Sequence, residues 1–227
     1  MSETTGKVDR TWHQIDWQGE PDGPPRLSGG RLGLDFANTV GGRTTERPSE
    51  FLTSYPVLVS WGHYTGILGD DEAETLRDLV QQDPDAAAEA HRRAIGFRDT
   101  VYRVFFAIGS GNEPDPADIE SVLRMYRTAL DHRGMERRGS RFDWIWKDST
   151  EDLERPLWSV AESVIEVLRT DNLDRIKVCP GGDGHSCQWV FFDTTKNGIR
   201  HWCSMAVCGS TAKSRRQVAR KQAARQH

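Results

Sequence analysis

All four cysteines of the chain, Cys179, Cys187, Cys203 and Cys208, fall in one stretch with the spacing C-x7-C-x15-C-x4-C. Four clustered thiols can ligate one zinc ion, ligate an iron–sulfur cluster, or close two disulfides. The opening residues, MSETTGKVDRTWHQIDWQGEPDGPPR, hold no apolar signal-type core, and no run of about 18 apolar residues occurs anywhere. The expected setting is therefore the reducing cytoplasm, where clustered thiols act as metal ligands rather than bridges. Thiolates are soft ligands, and four of them close a tetrahedron around Zn2+ with no position left for water. One structural zinc that folds its segment is the expectation. His185 and His201 lie close enough in sequence to compete, but four thiolates complete the shell, and both read as surface histidines.

The net charge of −4 conceals a division. From Arg175 to His227 ten basic residues face only Asp183 and Asp193, a net of +8, which leaves −12 for the first 174 residues. From Lys196 onward there is no acid at all. An acidic body with a basic, metal-folded end points to a polyanionic partner for that end, nucleic acid rather than a membrane. A solvated tail that aids only solubility is the plainer alternative.

With 227 residues and 36% hydrophobic content the chain is long enough for one domain plus a small module. Residues 1–26, with Gly and Pro clustered in GEPDGPP, read as a flexible N-terminus. Leu32, Leu34 and Phe36 alternate like a strand and lead into a turn at Asn38, Thr39, Gly41 and Gly42. Helices are expected within 51–68, ended by Gly66 and Gly69, and over 70–82, 84–108, 116–131 and 153–170, each from its apolar spacing and flanking breakers. Phe142, Trp144 and Trp146 alternate with Asp143, Ile145 and Lys147, which predicts a β-hairpin whose aromatic face covers the core. The fold class is α+β: a mostly helical N-terminal domain with a small β-hairpin, residues 27–174, followed by a zinc-binding β-hairpin and helix module, residues 175–227.

Within that module, Ile176 and Val178 enter the first ligand as a strand and WVFFD leaves the second. Cys203 and Cys208 sit in WCSMAVCG, where a turn or short helix presents both thiolates to one ion. Trp189 and Trp202 are expected to wall the site, with base stacking as the alternative. After the last ligand, TAKSRRQVARKQAAR is rich in helix formers, and at about 100° per residue it aligns Lys213, Arg216 and Arg220 with Lys221 beside them. Arg215 belongs to the same cationic run, and Lys196 and Arg200 precede it. No apolar stripe accompanies these charges, so the helix needs a partner, and DNA phosphates supply one by counterion release.

These residues resemble the CGNR zinc-finger proteins of bacteria, whose N-terminal part is the ABATE domain. The finger pattern rests on Cys179, Cys187, WVFFDTTKNGIRHWCSMAVCG and the basic helix after it, and the body pattern on LGLDFANTVGGR. The resemblance implies a stress-induced transcription regulator that binds DNA through the finger, with a sensing or assembly role for the body. Two departures stand out. The name-giving tetrapeptide reads Cys208-Gly209-Ser210-Thr211, and the first ligand loop, seven residues between Cys179 and Cys187, is longer than the family's usual one.

Asp35, Asn38, Thr39 and Arg43 form a polar cluster that either binds a small effector or caps local turns. A homodimer is a further expectation for a regulator. RNA binding by the same basic surface, or a protein-interaction role for the finger, are the rival readings. No nucleophile elbow, phosphate-binding loop, dinucleotide fingerprint or HExxH occurs, and with a closed zinc shell an enzyme is not expected.

Overall fold

A computed structural model describes residues 23–147, 152–182 and 186–224. The expectations for residues 1–22, His185 and Arg225 lie outside the described residues. The described residues condense into two compact units: 23–24, 51–95, 125–147 and 152–159 belong to the first, and 25–50, 96–124, 160–182 and 186–224 to the second.

In the first unit, α2 (Tyr55–Thr65) follows Ser54, carries Pro56 in its opening turn where a missing N–H costs nothing, and stops at Gly66 in the left-handed region (φ 77°). The next helix, α3 (Asp70–Gln82), starts with three acids, and the Glu72 carboxylate accepts the Gly69 amide at 2.9 Å. α4 (Pro84–Gly109), α5 (Pro116–Asp131) and α6 (Arg155–Thr170) each give part of their length to this unit and part to the other. Trp61, Leu58, Leu68, Leu76, Leu157 and Trp158 are among its fully buried large side chains. Arg155 is buried among them, and its guanidinium donates to Glu72 (2.8 Å) and to the Ile67 carbonyl (2.8 Å), so that neither the charge nor the carbonyl is left bare.

The hairpin of this unit pairs β3 (Arg133–Arg138) with β4 (Arg141–Trp146) antiparallel, Met135 opposite Trp144 and Arg133 opposite Trp146. Its aromatic face does not cover the core as expected. Only Trp146 turns inward, onto Trp158 at 5.6 Å between ring centroids, while Phe142 and Trp144 are more than 60% exposed. Alternation fixes which side chains share a face, and says nothing of how far the ribbon projects beyond the body.

In the second unit, residues 32–37 form a helix, α1 (Leu32–Ala37), and not the expected strand. Gly33, Leu34, Phe36 and Ala37 are all buried, so α1 is enclosed on most of its circumference and its apolar spacing loses its diagnostic value. Asp35, its one polar residue, bends back to accept the Gly29 amide at 2.7 Å. A Cβ on Gly29 would stand 2.8 Å from the Asp35 nitrogen, which is why this turn takes glycine. Short ladders β1 (Val40–Gly41) with β2 (Ser49–Glu50) and β5 (Ile176–Val178) with β6 (Val190–Phe192) follow, and α7 (Ser210–Ala223) ends the unit. Val101, Val104, Phe105, Val122, Val164, Ile176, Val190 and Phe191 form the core around them.

Candidate metal centre and nucleic-acid interface

The β5–β6 ladder carries directly into the first ligand. The Cys179 amide donates to the Trp189 carbonyl (2.8 Å) and the Gln188 amide to the Cys179 carbonyl (3.0 Å), so the hairpin continues one pair beyond the strands. Gln188 takes φ 53°, the only left-handed residue other than glycine among those described, and so turns the chain back immediately after Cys187. On the other side, one turn of π-helix, Met205–Gly209, is closed by the Gly209 amide on the Ser204 carbonyl (3.1 Å) and brings Cys208 back over Cys203. Gly182, in the first ligand loop, lies against Thr211 so closely that a Cβ would come within 2.3 Å of it.

All four Sγ atoms lie within 4.8 Å of one another, with Cys187–Cys203 at 3.6 Å and Cys203–Cys208 at 3.8 Å. A zinc tetrahedron with Zn–S bonds of about 2.3 Å has sulfur–sulfur edges of about 3.8 Å, whereas a disulfide needs about 2.05 Å. The four cysteines therefore form a potential zinc site and not two bridges. Cys179, Cys203, Cys208 and Phe191 are buried together, and Trp189 and Trp202 pack against them, the walling role expected of both indoles. The thiols press on one another. Hydrogen bonds from Cys187 and Cys203 hold Cys179 well below the ordinary thiol range. The same contacts push Cys187 and Cys203 up, and burial raises Cys208. Four thiolates this close require a cation among them, which is what a zinc ion supplies. His201 is exposed, edge-on to Trp202, and outside the cluster.

A hub that the sequence reading missed organises the loop between the ligands. Asp193 is fully buried. Its carboxylate accepts from Lys177 Nζ (2.7 Å), the Arg200 amide (2.9 Å), and the amide and hydroxyl of Thr195 (2.9 and 2.5 Å). Burial alone would raise its pKa, but these donors outweigh it and hold the carboxyl below the usual range. The signal was available: Asp193 and Asp183 are the only acids in a stretch otherwise cationic. Arg200, expected on the nucleic-acid surface, is spent inside the module. Its guanidinium donates to the carbonyls of Trp202 (3.0 Å), Phe192 (3.3 Å), Ser28 (2.8 Å) and Cys203, and lies over the Phe191 ring at 4.5 Å. Lys196 stays exposed at the loop tip.

α7 is the opposite case. None of its residues is buried, and Lys213, Arg216, Gln217 and Arg220 line one shallow groove of about 500 Å3 along it, with Arg215 and Lys221 also exposed. The structure thus brings Lys213, Arg216 and Arg220 onto one face, and leaves the helix attached through the π-turn that holds Cys208.

The polar cluster of the body is committed to structure at three of its four positions. Asn38 presents its carboxamide to β6 like a strand residue, donating to the Val190 carbonyl (2.8 Å) and accepting its amide (2.9 Å). Thr39 is buried, its hydroxyl on the Phe36 carbonyl (2.8 Å). Burial raises Asp35 to about 7, against hydrogen bonds from the Gly29 and Ser28 amides and the nearby Arg200 charge. Arg43 faces a cleft, its guanidinium 3.8 Å over Tyr102 and bonded to Asp99 at 3.2 Å. Among the described residues, no helix is long and apolar enough to cross a membrane.

Compared with proteins of curated function, the chain has no match. Against family models, residues 30–171 match ABATE, described as "Putative stress-induced transcription regulator", and residues 175–221 match the CGNR zinc finger. The ABATE match covers more than half of the chain and the finger match takes in all four cysteines, so this protein belongs to the ABATE family and carries a C-terminal CGNR zinc finger.

Proposed function

We propose that the protein is a DNA-binding transcription regulator whose finger, folded on one structural zinc held by Cys179, Cys187, Cys203 and Cys208, presents α7 to the duplex. The single observation that carries this reading is α7 itself: a 14-residue helix with no buried residue and no acid, three of whose five cations line one groove. An isolated helix of that length is marginal in water, and burial of an apolar face, the usual remedy, is not available to it. Phosphates supply the missing partner, with Lys213 and Lys221 as phosphate contacts and Arg216 and Arg220 as the residues placed to reach bases. Lys196 and Arg215 add to the same field. A closed four-thiol shell has no open position for substrate, which supports a binding role over an enzymatic one. Four persistent thiols also suit a reducing, cytoplasmic setting. We further propose that the body supplies assembly as a homodimer or response to a small effector.

The test is binding of the zinc-loaded full chain to fragmented genomic DNA across a salt series. About five phosphate contacts give a log–log slope of roughly −4 to −5, and the Lys213→Gln/Lys221→Gln pair reduces its magnitude by about 2. Salt-independent affinity, or binding that survives deletion of the residues after Ser210, would move the function to another surface. Retention of RNA with no retention of DNA would replace the ligand and keep the interface.

A further inference from the structure

Within the second unit, Val40, Arg43, Pro48, Glu50, Arg98 and Asp99 line an open cleft of about 310 Å3. The Arg98 side chain is 3% exposed. It spends Nη1 on both oxygens of Glu50 (2.6 and 2.7 Å) and Nε on Asp99 Oδ1 (3.1 Å), so that Nη2 is the nitrogen these carboxylates leave unused. Arg43 reaches the same Asp99 oxygen through Nη1 at 3.2 Å and the Ala37 carbonyl through Nη2 at 3.1 Å, while its Nε is buried without an acceptor. Two guanidiniums thus share one carboxylate oxygen, at distances longer than the about 2.7–2.9 Å of well-formed charge-assisted bonds. Burial lowers the Arg43 pKa, and the Arg98 charge adds to the effect against the opposing pull of Asp99. A buried donor left unmade costs about 1–3 kcal/mol, and native structures leave few of them.

We infer that this cleft is a binding site for a small oxyanion, the carboxylate or phosphate group of a small metabolite, held between Arg43 and Arg98. Glu50, 37% exposed at its side chain, occupies part of that position and competes with the ligand. The site is wired to the metal centre by two direct contacts. Arg43 stacks on Tyr102, whose hydroxyl donates to the Gln188 carbonyl (3.2 Å), and Val40 accepts the Trp189 indole N–H (2.8 Å). Gln188 and Trp189 directly follow the ligand Cys187, and Gln188 holds the left-handed turn that returns the chain from it. An anion that fixes Arg43 therefore restrains the knuckle, and by linkage the loaded knuckle favours the anion.

The test uses the full-length zinc-loaded protein with its arginines labelled with 15N, titrated separately with inorganic phosphate and with succinate. The Arg43 Nε–Hε resonance should shift saturably with one of these probes, and which one it is distinguishes a phosphate source from a carboxylate source. The Arg43→Gln variant should abolish binding, and Glu50→Gln, which removes the competing carboxylate from the rim, should tighten it about fivefold. The opposite signs of the two variants separate a specific site from loss of fold or general salt effects. No saturable shift with either probe, or equal binding by wild type and both variants, overturns the site. Bound probe should also slow release of zinc to a chelator about fivefold; binding with unchanged release overturns the link to the knuckle. The resonance readout does not depend on nucleic-acid binding, so failure of the DNA reading leaves this result interpretable.

Discussion

Two basic segments of the finger, with four cations in one and five in the other, use them differently: in the first all but Lys196 turn inward, and in the second none does. Between 175 and 200, Arg175, Lys177 and Arg200 turn inward: Arg175 donates to the Asp193 and Thr195 carbonyls (3.0 and 2.8 Å), Lys177 to Asp193 and the Gly198 carbonyl (2.7 and 2.6 Å), and Arg200 to four carbonyls. Between 210 and 223, Lys213, Arg215, Arg216, Arg220 and Lys221 all face solvent. A count of cations alone barely separates the two, four against five. The difference is a hydrogen-bond account: a small module with little core cross-links its loops with cations on carbonyls, and only the surplus is left for a partner. Removing an inward cation should therefore cost fold, and removing an outward one should cost only affinity.

The strongest way to break this comparison is to remove the anchor both segments share. Cys208→Ser, or a strong chelator on the wild type, should unfold the finger, because structural zinc sites in such modules contribute about 10–16 kcal/mol of apparent binding energy to the folded state. The expected outcome is loss of the near-ultraviolet dichroism of Trp189 and Trp202 together with loss of DNA retention and of stoichiometric zinc. A Cys208→Ser protein that keeps zinc and the wild-type melting curve would mean that the cluster does not fold the module.

A smaller effect separates the two cation classes. Arg200→Gln should lower stability by about 2–4 kcal/mol, since it strips several buried carbonyls of their donor at once, and should leave the salt slope of DNA binding unchanged in protein that remains folded. Lys213→Gln should do the reverse: stability within about 0.5 kcal/mol of wild type, and a slope reduced in magnitude by about 0.9. Denaturant melts and salt titrations of the same two proteins decide it. Loss of slope in Arg200→Gln would return that residue to the interface.

How far the sequence could foresee this follows from where each piece of information resides. The cysteine cluster was legible because metal chemistry resides in residue type and local spacing, and α3 and α5 were placed residue for residue because a long amphipathic pattern bounded by Pro, Gly or acids has one reading. α1 was misread as a strand because an element enclosed on most sides shows no polar face from which to take a period. The outward aromatic face of β3–β4 was misread because pairing register is local but projection from the body is not. Of the cleft only Arg43 was suspected. Its partners Asp99, 56 residues away, and the Glu50–Arg98 pair, 48 apart, are brought together by the fold alone. Arg200 looked like a ligand for DNA because a sequence displays cations and not the carbonyls that consume them.

The smallest expected effect lies at Asp35, which Arg200 and the Ser28–Gly29 amides face inside the second unit. Burial lifts its pKa from 3.8 to about 7, so the folded protein retains a proton that the unfolded chain releases near pH 4. Stability from this group is therefore greatest in acid and falls as pH rises toward about 7, then levels off. Between about pH 5.5 and about 8 the loss is about 2 kcal/mol, with the slope approaching about 1.36 kcal/mol per unit only well below about pH 7. Zinc binding has the opposite sign, since protons compete for the thiolates. The informative quantity is thus the difference between wild type and Asp35→Asn, each zinc-loaded: the variant should gain on wild type by about 2 kcal/mol across that window and hold the gain above it. Arg200→Gln, by removing a cation that favours the ionised carboxyl, should move the wild-type inflection upward, which links the inward cation of the finger to the acid of α1 in a single titration. Parallel pH profiles for wild type and Asp35→Asn would show that Asp35 is ionised in the fold, with the Gly29 and Ser28 amides prevailing over burial.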